Sequence, residues 1–297
     1  MMDVTLAVPQ WPKRGGDVLA NTRHLAAGGG FNVMSSAARH GMDVVYGGQL
    51  GQGPFADLAH ASLISEGIIE LLARTSSQDL GLCMVIVDVD GERTFITSPG
   101  AELELTVDQL TALDIVAGDY VYLSGYNVVY PELELTLLAW LEVIDPDVIV
   151  VFDPGPRVLD IPESTLRAVL GRTDWLLCNT IEGLALTQVA TIDEVPDALL
   201  AQTGVRGVVV HDGAAGCLVV TKDQPVTRVA AFHATVVDTN GAGDTHNGVL
   251  LAELANGRDV LYAARRANAA AAMVVSRYGA ATCPARSEIS AWYELLD

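Results

Sequence analysis

Short runs of apolar, mostly β-branched residues alternate along the chain with stretches of helical periodicity. The strand-like runs cover residues 44–46, 120–123, 148–152, 175–178, 207–211 and 217–221, and helical stretches at 32–40, 131–143 and 181–188 separate several of them. Strands and helices that alternate require crossover connections, which predicts a mostly parallel sheet with helices on both faces. The runs are apolar throughout, as is typical of strands buried on both faces.

Residues 82–97 show a different pattern. Two strand-like segments, 82–87 and 93–97, flank Asp88-Val89-Asp90-Gly91, and Asp-Gly between such segments is a strong hairpin signal. We therefore predict an antiparallel insert, with residues 4–9 and 19–27 pairing against it. The expected architecture is α/β: a small β-rich lid, built from about 4–9, 19–27 and 82–98, on a large body, all within one domain over 1–297.

The last third of the chain has a helical pattern. An apolar pair, Val236 and Val237, predicts a strand that enters a glycine-rich turn. A helix is predicted over 244–256, stopped by Gly257, and Asp259 is placed to cap the next helix, which should run to about Tyr278.

The net charge and the distribution of cysteines exclude several classes of protein. The 297 residues are 50% hydrophobic, and 37 acidic against 17 basic residues give a formal net charge of −20. That charge repels phosphate backbones and anionic lipid, so we expect neither nucleic acid nor a membrane surface as partner. The four cysteines are scattered without a Cys/His cluster, and the chain opens without a signal-peptide pattern. A reduced, cytoplasmic protein is the simplest placement.

The most informative segment is 238–248, Asp-Thr-Asn-Gly-Ala-Gly-Asp-Thr-His-Asn-Gly. Glycines at 241 and 243 permit a tight turn whose N–H groups converge at a helix N-terminus, which makes an anion hole suited to a phosphoryl group in transfer. Asp244, at the helix start, is a candidate general base for an incoming hydroxyl. The alternative is an ordinary helix cap.

Two further constellations suit small-molecule chemistry. Gly28 to Gly30 precede a helix and expose bare backbone, and Asn32 follows with both donor and acceptor groups; a flexible loop is the alternative. Asn179 and Glu182 share one face of a helix start. One carboxylate with waters and phosphate oxygens suits magnesium, whereas a surface pair is the alternative.

Segment 238–248 resembles the second signature of the ribokinase-like (PfkB) family of sugar and nucleoside kinases. Residues 27–34, Ala-Gly-Gly-Gly-Phe-Asn-Val-Met, with Gly41 and Gly51 downstream, resemble the first signature. The resemblance covers nearly the whole chain and implies a ribokinase-like three-layer sandwich. It further implies an ATP-dependent kinase that phosphorylates a hydroxyl of a sugar, sugar acid or nucleoside, with Mg²⁺ as cofactor.

The resemblance also assigns roles residue by residue. The catalytic positions are the base Asp244 and the anion hole of Gly241, Ala242 and Gly243. The acceptor-binding positions are Asp3, Gly28, Gly29, Gly30, Asn32 and Tyr126. The nucleotide positions are Asn179, Gly213, Gly216 and Asn268; a hairpin turn at 213–216 and a helix-packing amide at 268 are the alternatives. Glu182 with Asn179 would hold Mg²⁺ through water, and Asp238 and Asn240 would hold a monovalent cation such as K⁺.

Several departures from the family pattern bear on the substrate and on the chain start. Tyr126 stands where ribokinases carry a sugar-binding Glu, and Gly29 stands where ribokinase has a lysine, which argues against ribose. The family opens with a strand that ends near its early aspartate, whereas Asp3 is almost the first residue. We therefore expect that the numbering begins inside the natural protein. A homodimer through the lid is expected because unpaired lid strands expose edges.

Two other functions remain open. A non-catalytic sugar- or nucleotide-binding protein on the same fold would be expected to lack the aspartate or the anion hole, and both are present. A dinucleotide-dependent dehydrogenase requires a GxGxxG turn after its first strand, which Gly28 to Gly30 do not supply.

Overall fold

The computed structural model describes residues 1–294, which divide into two compact units. The first unit holds Met1–Phe31 and Val45–Leu105; the second holds Asn32–Val44 and the described chain from Thr106 onward. The prediction of one domain with a lid stays a prediction.

The first unit is built mainly from strands. Its elements are β1 (Met2–Ala7), β2 (Thr22–Ala27), β3 (Val45–Tyr46), β4 (Ile69–Glu70), β5 (Leu82–Val87), β6 (Arg93–Ser98) and helix α2 (Pro54–Ser65); helix α1 (Gly30–Arg39) begins in this unit and ends in the second.

A separate small sheet organises this first unit. It has the order β2-β1-β5-β6, with β1 parallel to β5 and the other pairs antiparallel. At the β5–β6 turn the Asp88 carboxylate accepts hydrogen bonds from the backbone N–H groups of Asp90 (3.0 Å) and Glu92 (3.1 Å), and Gly91 has φ 80°. The predicted hairpin is confirmed. Asp3 lies inside β1 of this small sheet, whereas the family pattern places its early aspartate near the end of the opening strand.

The second unit contains the larger sheet and most helices. Its strands are β7 (Tyr120–Ser124), β8 (Ile149–Asp153), β9 (Trp175–Asn179), β10 (Gly207–His211), β11 (Cys217–Thr221) and β12 (Gln224–Val229). Its further helices are α3 (Val107–Thr111), α4 (Gly125–Val129), α5 (Pro131–Leu141), α6 (Glu163–Leu170), α7 (Thr180–Thr187), α8 (Val195–Thr203), α9 (Ala242–Ala255), α10 (Val260–Val274) and α11 (Arg286–Glu294).

The six strands of this unit form one sheet, ordered β12-β11-β10-β9-β8-β7. Strands β7 to β10 are parallel, and β11 and β12 add antiparallel at one end. The apolar runs that predicted these strands are buried: every residue of β9 except Asn179 is buried, as are 207–210 of β10. Because parallel strands share a direction, their carboxyl ends meet at one edge, where α/β proteins place ligands.

Helix α9 lies inside this unit rather than on its surface. Residues 245–253 are all buried, and α10, rich in alanine, packs closely against α9. Because residues 245–253 are buried on every side of the helix, none of their side chains faces solvent. Their polar groups therefore need hydrogen-bond partners inside the protein.

The structure corrects two predicted elements. No strand forms at Val236 and Val237; the backbone N–H groups of Val237 (2.7 Å) and Asp238 (3.1 Å) both donate to the carbonyl of Val275, and Val236 is 64% exposed. Helix α10 ends at Val274, not near Tyr278, because the next carbonyl is used by that incoming segment. No helix in residues 1–294 is long and apolar enough to cross a membrane.

Candidate active site

Asp244 is a partly buried carboxylate at the first turn of α9. Its Oδ2 accepts a hydrogen bond of 2.8 Å from Nδ2 of Asn32 on α1. Burial raises the pKa of Asp244, and the Asn32 hydrogen bond opposes that rise. The helix-cap interpretation is wrong, since Gly241 occupies the N-cap position and no side chain caps α9. Within residues 1–294 Asp244 forms no ion pair.

Close packing of α1 on α9 explains the placement of Asn32. A Cβ added to Gly248 would lie 2.3 Å from the carbonyl of Val33 and 2.7 Å from the Cβ of Ser36. Only a glycine permits this approach. The amide of Asn32 therefore reaches Asp244, which lies one turn before Gly248, and its own Oδ1 stays buried without a hydrogen-bond partner in the described chain.

The turn before Asp244 depends on one glycine. Gly241 has φ 73°, and a Cβ there would stand 2.4 Å from the carbonyl oxygen of Ala280. Gly243 lies within the helix, where an added Cβ would have only Nδ1 of His211, at 3.8 Å, within 4 Å. The first N–H groups of α9 have no carbonyl within the helix to bind; that of Ala242, its first residue, donates to the carbonyl of Thr239 at 3.4 Å. Position 241 makes the turn, and position 243 leaves room beside it.

A second partly buried carboxylate, Asp153 at the end of β8, was not singled out from the sequence. Its Oδ2 accepts hydrogen bonds from the Tyr122 hydroxyl (3.0 Å) and from Nδ2 of Asn247 (2.8 Å), and its Oδ1 from the backbone N–H of Gly155 (3.0 Å). Burial first, and then the charges of Glu182 and Asp244, raise its pKa from 3.8 to about 7. A polar residue that ends an apolar parallel strand was the available signal.

Glu182 and Asn179 form a reciprocal capping box at the start of α7. The backbone N–H of Asn179 donates to Oε2 of Glu182 (2.9 Å), its Nδ2 donates to Oε1 (2.7 Å), and its Oδ1 accepts from the backbone N–H of Glu182 (2.9 Å). Glu182 is buried, which excludes the surface-pair interpretation, and burial raises its pKa. The charges of Glu182 and Asp244 thus both act on Asp153, at the carboxyl edge of the sheet.

The structure places the residues predicted to bind the nucleotide in different elements of the second unit. Gly213 and Gly216 lie in the turn that joins antiparallel β10 and β11, with φ 52° and 96°; a Cβ on Gly216 would lie 2.1 Å from the carbonyl of Val229, whereas Gly213 has open space around it. Asn268 is buried on α10, and its Nδ2 donates to the carbonyls of Val229 (2.9 Å) and Ala230 (3.2 Å). The amide of Asn268 thus binds the backbone at the end of β12 with both of its protons. This favours a packing role for Asn268 over contact with the nucleotide.

The remaining predicted residues of this unit lie on loops and short elements. Tyr126, on α4, is 41% exposed. Oδ1 of Asp238 accepts from the backbone N–H of Asn240 (2.8 Å), and Oδ2 accepts from that of Gly279 (3.2 Å), so this carboxylate joins two turns. Among described residues no group of three or more His, Cys, Asp or Glu side chains could hold a metal ion.

Asp3 and Gly28 stand together in the first unit. A Cβ on Gly28 would lie 2.1 Å from Oδ2 of Asp3, so that carboxylate sits directly against the bare backbone. Cys83 is opposite Asp3 in the sheet, and Thr97 is opposite Cys83 and donates its hydroxyl to the sulfur at 3.5 Å. Gly29 has φ 58°, and Gly29 and Gly30 have nothing within 4 Å of an added Cβ.

Comparison with known proteins decides the family. The model of the pfkB family carbohydrate kinases matches residues 1–287. The chain belongs to the pfkB family. It is therefore a phosphotransferase whose acceptor is an alcohol group, and the family resemblance read from segments 27–34 and 238–248 is confirmed.

Curated relatives of this pfkB family kinase include other sugar kinases. It is 32% identical over 299 residues to an uncharacterized sugar kinase of Escherichia coli, covering 97% of this chain and 90% of that protein. It is 30% identical over 265 residues to 2-dehydro-3-deoxygluconokinase of Dickeya dadantii, covering 80% and 82% of the two chains.

Solved structures confirm the fold. The crystal structure of ribokinase from Thermotoga maritima superposes with a TM-score of 0.83 at 26% identity, covering 99% of this chain and 96% of that one. The ribokinase of Giardia lamblia gives 0.82 at 23% identity, covering 98% and 96% of the chains. The ribokinase-like α/β fold with a mostly parallel central sheet and a separate small sheet is confirmed.

Proposed function

We propose that this pfkB family kinase transfers the γ-phosphoryl group of ATP to a hydroxyl of a sugar or nucleoside, with Asp244 as the general base. The observation that carries this is Asp244 itself: a partly buried carboxylate held by the neutral amide of Asn32, beside a helix N-terminus, with no cationic partner in residues 1–294. Its raised pKa makes it a better proton acceptor than an exposed aspartate.

Phosphoryl transfer spreads negative charge over the transferred oxygens, and fixed donors stabilise it without reorganising. The N–H groups at 241–244 open the 14-residue helix α9, whose N-terminus carries a partial positive charge. Gly241, in its left-handed conformation, turns the chain so that these groups face outward. We assign the anion hole to Gly241, Ala242, Gly243 and Asp244.

Glu182 suits magnesium bound through water. Each of its oxygens accepts one hydrogen bond from Asn179, which leaves lone pairs free, and the neighbouring charge of Asp153 goes uncompensated by any described cation. Magnesium takes few carboxylates, several waters and phosphate oxygens, so one or two acids suffice. When bound with the nucleotide it would neutralise phosphate charge. The monovalent-cation role of Asp238 and Asn240 stays a prediction.

The acceptor and nucleotide assignments rest on the same proposal. The acceptor-binding roles of Asp3, Gly28, Gly29 and Gly30 in the first unit, and those of Asn32 and Tyr126 in the second, stay predictions. Gly213, Gly216 and Asn179 are proposed for the nucleotide, and Asn268 is placed there as a support for the Val229–Ala230 backbone. The relatives named above act on sugars and a sugar acid, which supports a polyhydroxy acceptor without choosing one.

A homodimer through the small sheet is part of this proposal. Strand β6 is an edge of that sheet, and its Phe95 and Ile96 are 58% and 56% exposed. A second copy would cover these side chains, and light scattering at micromolar concentration tests it: a monomer with and without acceptor contradicts the dimer. The cytoplasmic location stays a prediction.

ADP release tests the proposed function. Full-length protein with Mg-ATP is screened against a panel of sugars, sugar acids and nucleosides, with Asp244→Asn as the negative control. We expect release with one acceptor class, absent in the variant. ATP binding without transfer to any member of a broad panel would favour the non-catalytic alternative.

A further inference from the structure

A cavity of about 600 Å³ lies in the first unit, between helix α2 and the chain segment that contains strand β4. Most of its walls are aliphatic, and its ionisable side chains are one histidine, one glutamate and one arginine. No residue that lines it is assigned to catalysis, to the acceptor or to the nucleotide. This volume, with apolar walls and a few polar groups, is typical of a site for a small molecule. The walls include Ile64, Ile69 and Leu71, and the ionisable residues are His60, Glu70 and Arg74.

The wall formed by the segment after β4 is held in place by two glutamines. Nε2 of Gln49 donates to the carbonyl of Ala73 (3.3 Å) and to Oγ1 of Thr75 (3.0 Å). Nε2 of Gln52 donates to the carbonyl of Arg74 (3.0 Å). A wall that is already ordered loses little conformational entropy when a ligand binds, so the cavity is preorganised.

The polar side chains form one chain of contacts centred on Glu70. Oε2 of Glu70 lies 2.9 Å from Nδ1 of His60, and Oε1 accepts from Nε of Arg74 at 3.2 Å. The guanidinium of Arg74 also donates, through Nη1, to Oδ1 of Asp57 at 3.0 Å. No other lysine or arginine lines the cavity. Two carboxylates therefore share one cation, which leaves negative charge in excess.

The contact with Glu70 determines which nitrogen of His60 is available to a ligand. A carboxylate oxygen only accepts, so Nδ1 of His60 carries the proton that bonds Glu70. In the neutral ring Nε2 then holds a lone pair, and it has no hydrogen-bond partner in residues 1–294. Because His60 is partly exposed, this acceptor can be reached by a ligand that brings a donor.

We propose that this cavity binds a small organic amine, whose apolar body packs on the aliphatic walls and whose ammonium group donates to Nε2 of His60. The charge of the ammonium group offsets the negative charge that Asp57 and Glu70 hold in excess over Arg74. The net charge of −20 acts in the same direction, because a negative field raises the local concentration of cations. A carboxylate ligand would instead compete with both acids for the one guanidinium.

Three probes with similar apolar bodies separate this role from simple burial of apolar surface. Phenethylamine carries an ammonium group, phenethyl alcohol a hydroxyl and hydrocinnamate a carboxylate. Each is titrated into the full chain and followed in ¹⁵N spectra of the histidine side chains. We expect phenethylamine to bind roughly tenfold or more tightly than hydrocinnamate, the contribution of a hydrogen bond to a charged group. Phenethylamine should also shift Nε2 of His60.

Two substitutions on α2 supply the variant and its matched control. Ile64→Lys places a positive charge in the wall, whereas Leu58→Lys places one on the same helix outside the lining. The two side chains are 61% and 47% exposed, so both variants should fold like wild type, which thermal unfolding checks. We expect Ile64→Lys to weaken phenethylamine binding by roughly tenfold or more, and Leu58→Lys to change it by less than about threefold, because only the first brings like charges together.

A third variant tests the charge argument. Asp57→Asn leaves Arg74 with Glu70 as its one anion, so phenethylamine should bind less tightly and hydrocinnamate more tightly. The difference between the two probes should fall to within about threefold, since the excess negative charge is gone.

Equal binding of the three probes to wild type, or tighter binding of hydrocinnamate, would overturn the inference. So would a phenethylamine titration that leaves Nε2 of His60 unshifted, or an Ile64→Lys variant that binds like Leu58→Lys. None of these measurements uses ATP or a sugar, so their outcome is independent of the proposed kinase reaction.

Discussion

Helix α9 carries a carboxylate near each end, Asp244 partly buried and Glu253 fully buried, and the partners of the two differ. Glu253, fully buried, pairs with Nε of Arg266 at 3.0 Å and with a guanidinium nitrogen of Arg286 at 3.1 Å. Asp244 receives only the amide of Asn32. Both groups lose hydration, yet only one is given positive charge in return. A buried carboxylate that pairs with two cations links the elements that carry them. A carboxylate without a cationic partner can instead accept a proton or bind an incoming cation.

The same contrast extends to the neighbours of each carboxylate. Arg286 and Arg266 fasten the segment around α11 to α9 and α10 through Glu253 and Ser290. Near Asp244 the charged neighbour is another acid, Asp153, whose pKa is raised by the charge of Asp244. Breaking the contacts at the Glu253 end of α9 should therefore destabilise the fold. The unbalanced charge at the Asp244 end lowers stability and suits a proton acceptor.

The largest expected effect on stability is at the end of α9 that carries Glu253. Glu253→Gln leaves two guanidinium groups without their anion, and breaking such a buried pair costs about 3–5 kcal/mol. Denaturant unfolding should show this loss while kcat per folded molecule is retained. Glu288→Gln, which breaks the exposed pair with Arg277, is the control, expected to cost at most about 1 kcal/mol. Equal effects of the two substitutions would remove the contrast.

A smaller loss is expected at the turn that precedes Asp244. Gly241→Ala forces a side chain into a left-handed conformation and against the carbonyl of Ala280, which together cost roughly 2–4 kcal/mol. Gly243→Ala, with helical backbone and 3.8 Å of room, should fold like wild type. Unfolding free energies measure both. If Gly243→Ala is the more damaging, the turn has been assigned to the wrong glycine.

The sheet and the turn could be predicted because their causes are local. Apolar runs specify buried strands, and Asp-Gly between such runs specifies the β5–β6 hairpin. The strand expected at 236–237 did not form, because its backbone donors reach the carbonyl of Val275, a partner remote in sequence. Tyr122, Asp153 and Asn247 could not be grouped from sequence either: three elements bring them together, and none of the three has a diagnostic spacing.

A third effect, on the pH dependence of stability, is expected at Asp153. The pKa of Asp153 rises from 3.8 to about 7 on folding, so the folded state holds its proton more tightly and stability falls as pH rises from about 4 to about 7. Asp153→Asn should lessen the drop in Tm between about pH 5 and about pH 8, a window that spans most of this transition. Asp160→Asn removes an exposed charge, paired with Arg157, as control. If the Tm of both variants depends on pH in the same way, Asp153 does not contribute to the pH dependence of stability, and the prediction is wrong.

The central claim is that Asp244 is uncompensated because it accepts the proton of the acceptor hydroxyl. The most direct test is the single-turnover rate of phosphoryl transfer by Asp244→Asn, at saturating Mg-ATP and acceptor, together with its nucleotide affinity. Asparagine keeps the shape and the contact with Asn32 but takes no proton. We predict a rate lower by roughly 10²–10⁴, the range for a positioned base, with ATP affinity nearly unchanged. A rate within about threefold of wild type, far outside that range, would contradict the account.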